Sequence, residues 1–487
     1  MTDDFFLPTH AAGSNRRTKI ITTIGPATRS PEKIEALIGA GVNVCRLNFS
    51  HGSHDEHLEV LHRIRQISQR LGRPVAVLQD LSGPKIRISL VKGDFLPIRD
   101  QDLITLRKSE ESLSDDKVIF VEGLDPAKVL KAGQQVLLAD GIIELRAQKV
   151  DGDSVTCLIT KGGRIRSRVG IAFPDSEIDL PATTEKDLAD LRWGVDNHVD
   201  YVAISFVNNA RDVLKLREEI KQRNPKADIR IIAKIERKSA LRNISDILDV
   251  SDGLMVARGD LGLELPLERV PRVQQRLIEE ANFRGIPVIV ATQMLHSMIT
   301  AVRPTRAEVT DISAAVMGGA DALMLSEETA IGEHPILAVE HLGRIAAEAE
   351  REFDFEEYRP RLRGSDSATI ADAVAYAAAA AAIKVQADAV IACTETGNSA
   401  RLIAKYRPQQ TLYGASSSEE ALRRMCLYWG IVPVKFEQGQ QGEEELQVAL
   451  EAVRTRGNYD NGSLAVMTAG LNPRMPGTTS LMEIRAF

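Results

Sequence analysis

Eight short apolar runs, most of them separated by amphipathic helical segments, predict an α/β chain built on a (β/α)8 barrel. They are KIITTIGP from Lys19, VNVCRLNFS from Val42, VAVLQDLSGP from Val75 and YVAISFV from Tyr201, then IRIIAKIE from Ile229, GLMVARGD from Gly253, PVIVATQM from Pro287 and ALMLSEET from Ala322. Runs that are apolar throughout, rather than alternating, suit parallel strands covered on both faces. Segments such as SPEKIEALIGAG and VPRVQQRLIEEANFRG place apolar residues at i, i+3 and i+4, giving strands their crossover helices. A large open sheet uses the same units, but closure of eight leaves no exposed edge.

The barrel is expected over 16–83 and 181–350, after a short N-terminal segment, 1–15. Between its third and fourth strands, over 84–180, the texture changes. LITLRKSE, KVIFVEG, QQVLLADGIIELRAQKV and SVTCLITKGG alternate in polarity, carry DG and GG turns, and show no convincing helix. We read a small β domain inserted in a barrel loop, where long insertions cost little. It follows the C-terminal end of a strand, the side on which barrels carry their sites, so it is expected to act as a lid. From 351 to 487 the pattern restarts, with ATIADAVAYAAAAAAIK, ADAVIACTETG, TLYGAS, IVPVKF and SLAVMTAG reading as a doubly wound α/β domain.

A chain of 487 residues is too long for one core, and its composition is that of a globular protein, 44% hydrophobic and 26% charged. A net charge of −7 argues against nucleic acid or an anionic membrane as partner, since both select basic faces. Cys45, Cys157, Cys393 and Cys426 are scattered without CxxC spacing, which fits a reducing, cytoplasmic setting. No window of about 18 apolar residues exists to span a bilayer.

The ends of the predicted strands carry the chemistry. In IRIIAKIERK an apolar run turns ionic at Lys234 and Glu236, two apart and therefore on one face of the strand. The second strand ends in Arg46, Asn48 and Ser50, and the third in Asp80, followed by Lys85 and Arg87. The fourth gives Ser205, the sixth Arg258 and Asp260, the seventh Thr292 and Gln293, and the eighth Ser326. The opposite ends read as apolar or Gly-capped. Glu236 and Asp260, from neighbouring strands, either share a proton or hold a cation. Two carboxylates leave most positions of a hard divalent ion open, as Mg²⁺ is commonly held beside a substrate phosphate. Lys234 then supplies a charge for a transferring anion, and the forks of Arg46 and Arg87 suit phosphate oxygens. A structural ion network is the plainer reading of the same residues.

These segments resemble pyruvate kinases. TKIITTIGPATRS, NVCRLNFSHGSH, DLSGPKIR, IIAKIERKSAL, MVARGDLGLELP, ATQMLHSMI, RPTRAEVTDISAAVMGGADALMLSEETA and TETGNSARLIAKYRP match in order, from about Arg16 onward. The resemblance implies phosphoryl transfer from phosphoenolpyruvate to ADP, giving pyruvate and ATP, with Mg²⁺ (or Mn²⁺) on Glu236 and Asp260. Lys234 would steady the phosphoryl group, and the backbone at Ala257, Arg258 and Gly259 would hold the substrate carboxylate with Asp260. Thr292 would help to orient it, and Thr292 or Ser326 would lie near the proton relay to the enolate. Arg46, Asn48, His51, Arg87 and the lid residue Asp140 would face nucleotide and phosphates. It further implies a phosphorylated activator, a sugar phosphate or nucleotide, in the loop Thr394, Thr396, Gly397, Asn398 and Ser399, closed over by AGLNPRMPGTTS, and a homotetramer.

Many relatives hold K⁺ with an Asn, a Ser, an Asp and a following Thr. The matching positions here are Asn48, Ser50, Asp80 and Leu81, and Lys85 stands where those relatives carry a Glu, so K⁺ is expected not to be required. Other departures are Glu327 in SEETA, Glu56 where some relatives have Tyr, and the weakened lid motif Val169, Gly170, Ile171, Ala172. Other readings remain: a Schiff-base aldolase on Lys234, a Mg²⁺-dependent carbon–carbon lyase, and an inactive regulatory homologue.

Overall fold

In the computed structural model, which describes residues 16–178, 180–355, 358, 369–437, 443–470 and 479–487, the eight apolar runs form a closed parallel barrel. Its strands are Lys19–Thr23, Val44–Asn48, Ala76–Asp80, Tyr201–Ile204, Arg230–Ile235, Gly253–Ala257, Val288–Ala291 and Ala322–Leu325. Each pairs with its neighbours in chain order, and the first closes on the eighth at Lys19–Ala322. The helices start where the sequence signals them. Ser30 caps Pro31–Gly39 from a β conformation with Pro at the first turn, and Val270–Arg284 stops at Gly285, φ 66°.

The period of two along each strand explains how a polar site grows out of an apolar core. Ile21, Val44, Leu78, Ala203 and Ile232 belong to the buried cluster in the barrel interior. Two residues further along the same strands stand Thr23, Arg46, Asp80, Ser205 and Lys234. The same inward row that fills the barrel with methyl groups therefore ends in a layer of ionic and hydroxyl groups at the C-terminal rim.

The insertion is a seven-stranded sheet in the order Ile171–Ala172, Gln135–Leu138, Ile143–Asp151, Ser154–Lys161, Leu103–Lys108, Val118–Glu122, Arg87–Ile88, with a two-stranded ribbon of Leu96–Ile98 and Gly163–Ile165. It has its own core, including Ile104, Leu106, Val136, Leu145 and Val155. One short helix, Pro126–Val129, capped by Asp125, was not expected; four residues are too few to show a helical period.

The C-terminal unit is a five-stranded sheet ordered Ile431–Lys435, Thr411–Ser416, Ala389–Cys393, Leu464–Gly470, Thr479–Ala486. Four strands are parallel, as read from sequence. The fifth is antiparallel and was missed, being an edge strand with only Thr479 buried. The expected N-terminal segment, 1–15, lies outside the described residues.

The ends of the barrel strands opposite the mouth are not apolar, and that expectation is corrected. Lys19, Asp200, Arg230 and Asp321 stand there because the C-terminal domain docks on this face through polar contacts. Lys19 Nζ donates to the Ile431 carbonyl at 2.6 Å, and Tyr201 Oη donates to the Arg424 carbonyl at 2.6 Å. Asp200 pairs with Arg423 at 2.7 Å. Arg407 is buried, pairs with Asp321 at 3.0 Å and lies 4.5 Å from the Trp429 ring centroid. Removing one partner of a buried pair strands the other, so Arg407→Ala should lower unfolding stability by about 3–5 kcal/mol. Urea unfolding followed by Trp429 fluorescence reads this, and an unchanged midpoint would refute it.

Candidate active site

Lys234 lies at the centre of the polar layer. Its Nζ is 3.0 Å from Glu236 Oε1, 3.3 Å from Asp80 Oδ1 and 2.7 Å from Ser205 Oγ. Burial alone would pull this ammonium down, but Asp80 and Glu236 outweigh it and push the pKa well above the usual lysine value. Asp80 is its counterpart. Burial pushes its carboxyl up, yet Lys234 and then Arg46, whose Nε donates to Oδ2 at 2.7 Å, hold it below the ordinary range. Arg46 also donates to Thr23 Oγ1 at 2.8 Å.

Glu236 is 2% exposed, and its Oε2 accepts the backbone N–H of Phe206 at 2.7 Å. Burial raises its pKa and the Asp260 charge adds to this, against Lys234. A buried carboxylate whose proton affinity is raised by a second carboxylate beside it is the charge pattern that a cation relieves. Asp260 comes from the short helix Arg258–Glu264 and is partly exposed, with its Oδ1 3.1 Å from Lys85 Nζ. Among the described residues no three His, Cys, Asp or Glu side chains converge on one point, so a metal here would rest on two protein carboxylates. An all-oxygen pair with room around Asp260 fits a hard divalent ion that keeps waters and substrate oxygens as its other ligands.

A cleft of about 580 Å³ is bordered by Glu236 and Asp260, while Lys234, Asp80 and Arg46 lie outside its lining. Its floor includes Glu236 and Asp260, its hinge side Pro84, Lys85 and Ile86, and its roof the lid segment from Gly170 to Ile178. The side chain of Lys85 runs beside Gly170, where a Cβ would come within 3.2 Å of Lys85 Cε. Gly83, φ 67°, is obligatory, since a Cβ would lie 2.8 Å from both Ser205 and Phe206, the residues that seat Lys234 and Glu236.

The seventh strand ends in two consecutive left-handed residues, Thr292 at φ 71° and Gln293 at φ 55°. A β-branched residue in that region is strained. Here it turns Thr292 Oγ1 so that it accepts the Gly259 N–H at 2.9 Å and donates to the Ala291 carbonyl at 2.5 Å. Arg258 holds the turn from behind, donating to the Ala291 carbonyl at 3.2 Å and the Thr292 carbonyl at 2.7 Å while pairing with Asp311 at 2.6 Å. Its side chain is thus spent on positioning the Ala257–Gly259 and Thr292 backbones. Ser326 is fixed by Glu328, which is 1% exposed and accepts the N–H groups of Ser326 at 2.7 Å and Leu295 at 3.0 Å.

The remaining expected residues are distributed more widely. Asn48 Oδ1 accepts the Ser50 N–H, Ser50 Oγ donates to Ser82 Oγ, and Leu81 is buried. His51 is exposed and gives its carbonyl to His57. Arg87 donates to the Arg168 carbonyl within the lid. Asp140 is exposed at the left-handed lid turn Ala139–Gly141, and a Cβ on Gly141 would come within 3.3 Å of Leu263, so this tip approaches the helix that carries Asp260. Glu56 completes a capping box with Ser53 and pairs with Arg29. Exposed Glu327 stands 3.9 Å from His296.

In the C-terminal domain, Thr394 Oγ1 accepts the Gly397 N–H at 3.0 Å, and Gly397, φ 86°, opens the helix Asn398–Lys405 without a side-chain cap. Ser399 Oγ bonds Thr479 Oγ1, and Asn398 Oδ1 accepts from Arg401. Most of AGLNPRMPGTTS, 471–478, lies outside the described residues.

Glu328 and Asp311 were not singled out from sequence, because a carboxylate that straps loops carries no local signature. Ser205 was legible, being next in the inward row.

Comparison with known proteins agrees with this geometry. A model of the pyruvate kinase barrel domain matches residues 15–339, and one of the pyruvate kinase alpha/beta domain matches 372–485. Pyruvate kinases of Staphylococcus aureus strains USA300, NCTC 8325 and COL are each 40% identical over 472 residues, spanning 96% of this chain and 80% of the relative. With the closed barrel, the ionic layer at its mouth and matches over nearly its whole length, the chain belongs to the pyruvate kinase family and is a phosphotransferase.

Proposed function

We propose that the chain transfers the phosphoryl group of phosphoenolpyruvate to ADP, with Lys234, Glu236, Asp260 and Thr292 as the working centre. The observation that carries this reading is Lys234, a buried ammonium held between Asp80 and Glu236, the second of which lines the cleft. In the reaction the bond between phosphorus and the enol oxygen breaks and a bond to an oxygen of the ADP β-phosphate forms. The enolate left behind then takes a proton at its methylene carbon, giving pyruvate.

A strongly raised pKa keeps Lys234 protonated, so it acts as a fixed positive charge toward the equatorial phosphoryl oxygens and not as a proton donor. The same shift disfavours a Schiff-base aldolase, which needs a free amine. Glu236 and Asp260 would hold Mg²⁺ or Mn²⁺, which when bound neutralises charge on the substrate's phosphate and carboxylate. Gly259 and Thr292 fix the backbone against which that carboxylate rests, and Arg46 adds a cation at the layer's other side. ATP formation from phosphoenolpyruvate and ADP should require divalent ion and cease on chelation; pyruvate release without ATP would favour a lyase or phosphatase.

Lys85 supports independence from K⁺. Asn48, Ser50 and Asp80 supply oxygens, but Leu81 brings no hydroxyl, and Lys85 brings an ammonium within 3.1 Å of Asp260. A tethered ammonium carries the charge that a monovalent ion would. Activity in tetramethylammonium chloride should therefore stay within about twofold of that in KCl, and Lys85→Glu should make the enzyme KCl-responsive. Strong activation of the unmutated protein by KCl at equal ionic strength would contradict this.

The loop Thr394–Ser399, opening a helix without a side-chain cap, is proposed as the phosphate cradle of an activator. A homotetrameric, cytoplasmic enzyme is the accompanying reading. Among the described residues no helix is long and apolar enough to cross a membrane.

A further inference from the structure

The lid joins the barrel through two crossings, 81–84 going out and 180–184 coming back. One side chain binds both. Asp187, fully buried in the first turn of the helix Glu185–Asp196, accepts the N–H and the hydroxyl of Thr184 on Oδ2, at 2.8 and 2.6 Å. Its Oδ1 accepts the N–H of Gly83 at 3.0 Å, from a segment 104 residues earlier in the chain.

The bonds to Thr184 are those of a capping box, in which Thr184 Oγ1 also accepts the Asp187 N–H at 3.2 Å. A cap needs nothing from Gly83. The bond to Gly83 is extra, and it lands on the turn against which the candidate catalytic groups are seated. Two residues before Gly83, the Leu81 carbonyl accepts from Ser205 Oγ at 2.7 Å, and that hydroxyl in turn accepts from Lys234 Nζ. Two residues after it, Lys85 donates its N–H to the Gly83 carbonyl at 3.0 Å and extends its ammonium to Asp260. Gly83 itself lies against Ser205 and Phe206, and the Phe206 N–H holds Glu236. On the return side, the Leu180 carbonyl accepts from Asn208 Nδ2 at 3.2 Å, in the same loop as Phe206.

A buried carboxylate held by backbone N–H and hydroxyl donors depends on them for its charge, so parting the crossings would strand the carboxylate or a backbone N–H. The lid is thereby made to swing about both crossings together instead of twisting about one. We propose that Asp187 is a positioning residue for the transfer reaction. It locks the two crossings to each other and sets the Gly83 turn, so that Lys85, Ser205 and Phe206 stand where Asp260, Lys234 and Glu236 need them. The kinetic consequence rests on the phosphoryl-transfer reading, whereas the tie between the crossings stands without it.

Amide hydrogen exchange read by mass spectrometry on the full chain, beside steady-state kinetics, tests this. Asp187→Asn keeps the shape but has one acceptor oxygen. That oxygen should stay with the two donors of Thr184, turning the amide NH₂ toward the Gly83 N–H, donor against donor. Exchange over 81–86 should then rise by about tenfold or more, while 180–187 stays protected. With it kcat should fall by about tenfold or more and the KM for phosphoenolpyruvate stay within about threefold, as misplaced catalytic groups require. Asp187→Ala should expose both crossings to exchange and lower kcat at least as far. Thr184→Ala removes the cap hydroxyl and leaves Oδ1 on Gly83, so it should loosen 180–187 alone and keep kcat within about twofold. The inference is overturned if the folded Asp187 variants leave 81–86 protected with kcat unchanged, as loss of a cap alone would, or if Thr184→Ala lowers kcat as far as they do. Loosened crossings in the Asp187 variants of a protein that forms no ATP would uphold the tie and count against the phosphoryl-transfer reading alone.

Discussion

Lys234→Met should lower kcat by about a thousandfold, while the KM for phosphoenolpyruvate and the affinity for Mn²⁺ change by no more than about threefold. The reason lies in where the ammonium sits. It contacts Glu236, Asp80 and Ser205 in the ground state, so its place is set before substrate arrives. The phosphoryl oxygens are already charged in the bound substrate, where the metal would offset that charge, and a cation placed for their transition-state position affects turnover more than binding. Removing it also leaves Asp80 and Glu236 without their common partner. The variant should therefore be less stable without divalent ion and regain stability when Mg²⁺ is added. Stopped-flow or coupled turnover measurements, with thermal unfolding as control, read both effects. A kcat within tenfold of wild type would remove Lys234 from the mechanism.

Glu236→Gln should act on the metal instead. On the proposed assignment one of two protein ligands loses its charge, so Mn²⁺ affinity, followed by the loss of free Mn²⁺ signal in paramagnetic resonance, should fall by about a hundredfold. The two variants differ in rescue. Raising Mg²⁺ into the tens of millimolar should restore a substantial part of the Glu236→Gln activity but none of that lost in Lys234→Met. Unchanged Mn²⁺ affinity in Glu236→Gln would mean that this carboxylate serves only the ionic network around Lys234.

Much of this was legible in the sequence for a physical reason. A parallel barrel buries both faces of every strand, so its strands read as unbroken apolar runs, and any ionised residue at the end of such a run stands out. Lys234 and Glu236 break the run at a spacing of two, which puts both in the inward row above Ile232. What could not be read depends on contacts between distant segments. The left-handed backbone at Thr292 and Gln293 has no glycine to announce it, and Arg258 holds it from across the strand end. Glu328 looks like the second of two equivalent acids in SEETA, yet it is buried and ties two loops while Glu327 is exposed. The charged strand starts Lys19, Asp200, Arg230 and Asp321 are explained only by the domain docked against them. The lid residue Arg87, expected to face phosphates, gives one donor to the lid backbone at Arg168.

The most direct measurement is a rapid-quench single turnover, with enzyme in excess over phosphoenolpyruvate and with ADP and Mg²⁺ present, run for the unmutated protein and for Lys234→Met. The unmutated protein should form ATP and pyruvate in equal amounts, with no ATP when the metal is chelated, and Lys234→Met should slow ATP formation by about the same thousandfold seen in kcat. ATP formed at the same rate by both proteins, or pyruvate formed without ATP, would contradict phosphoryl transfer steadied by Lys234.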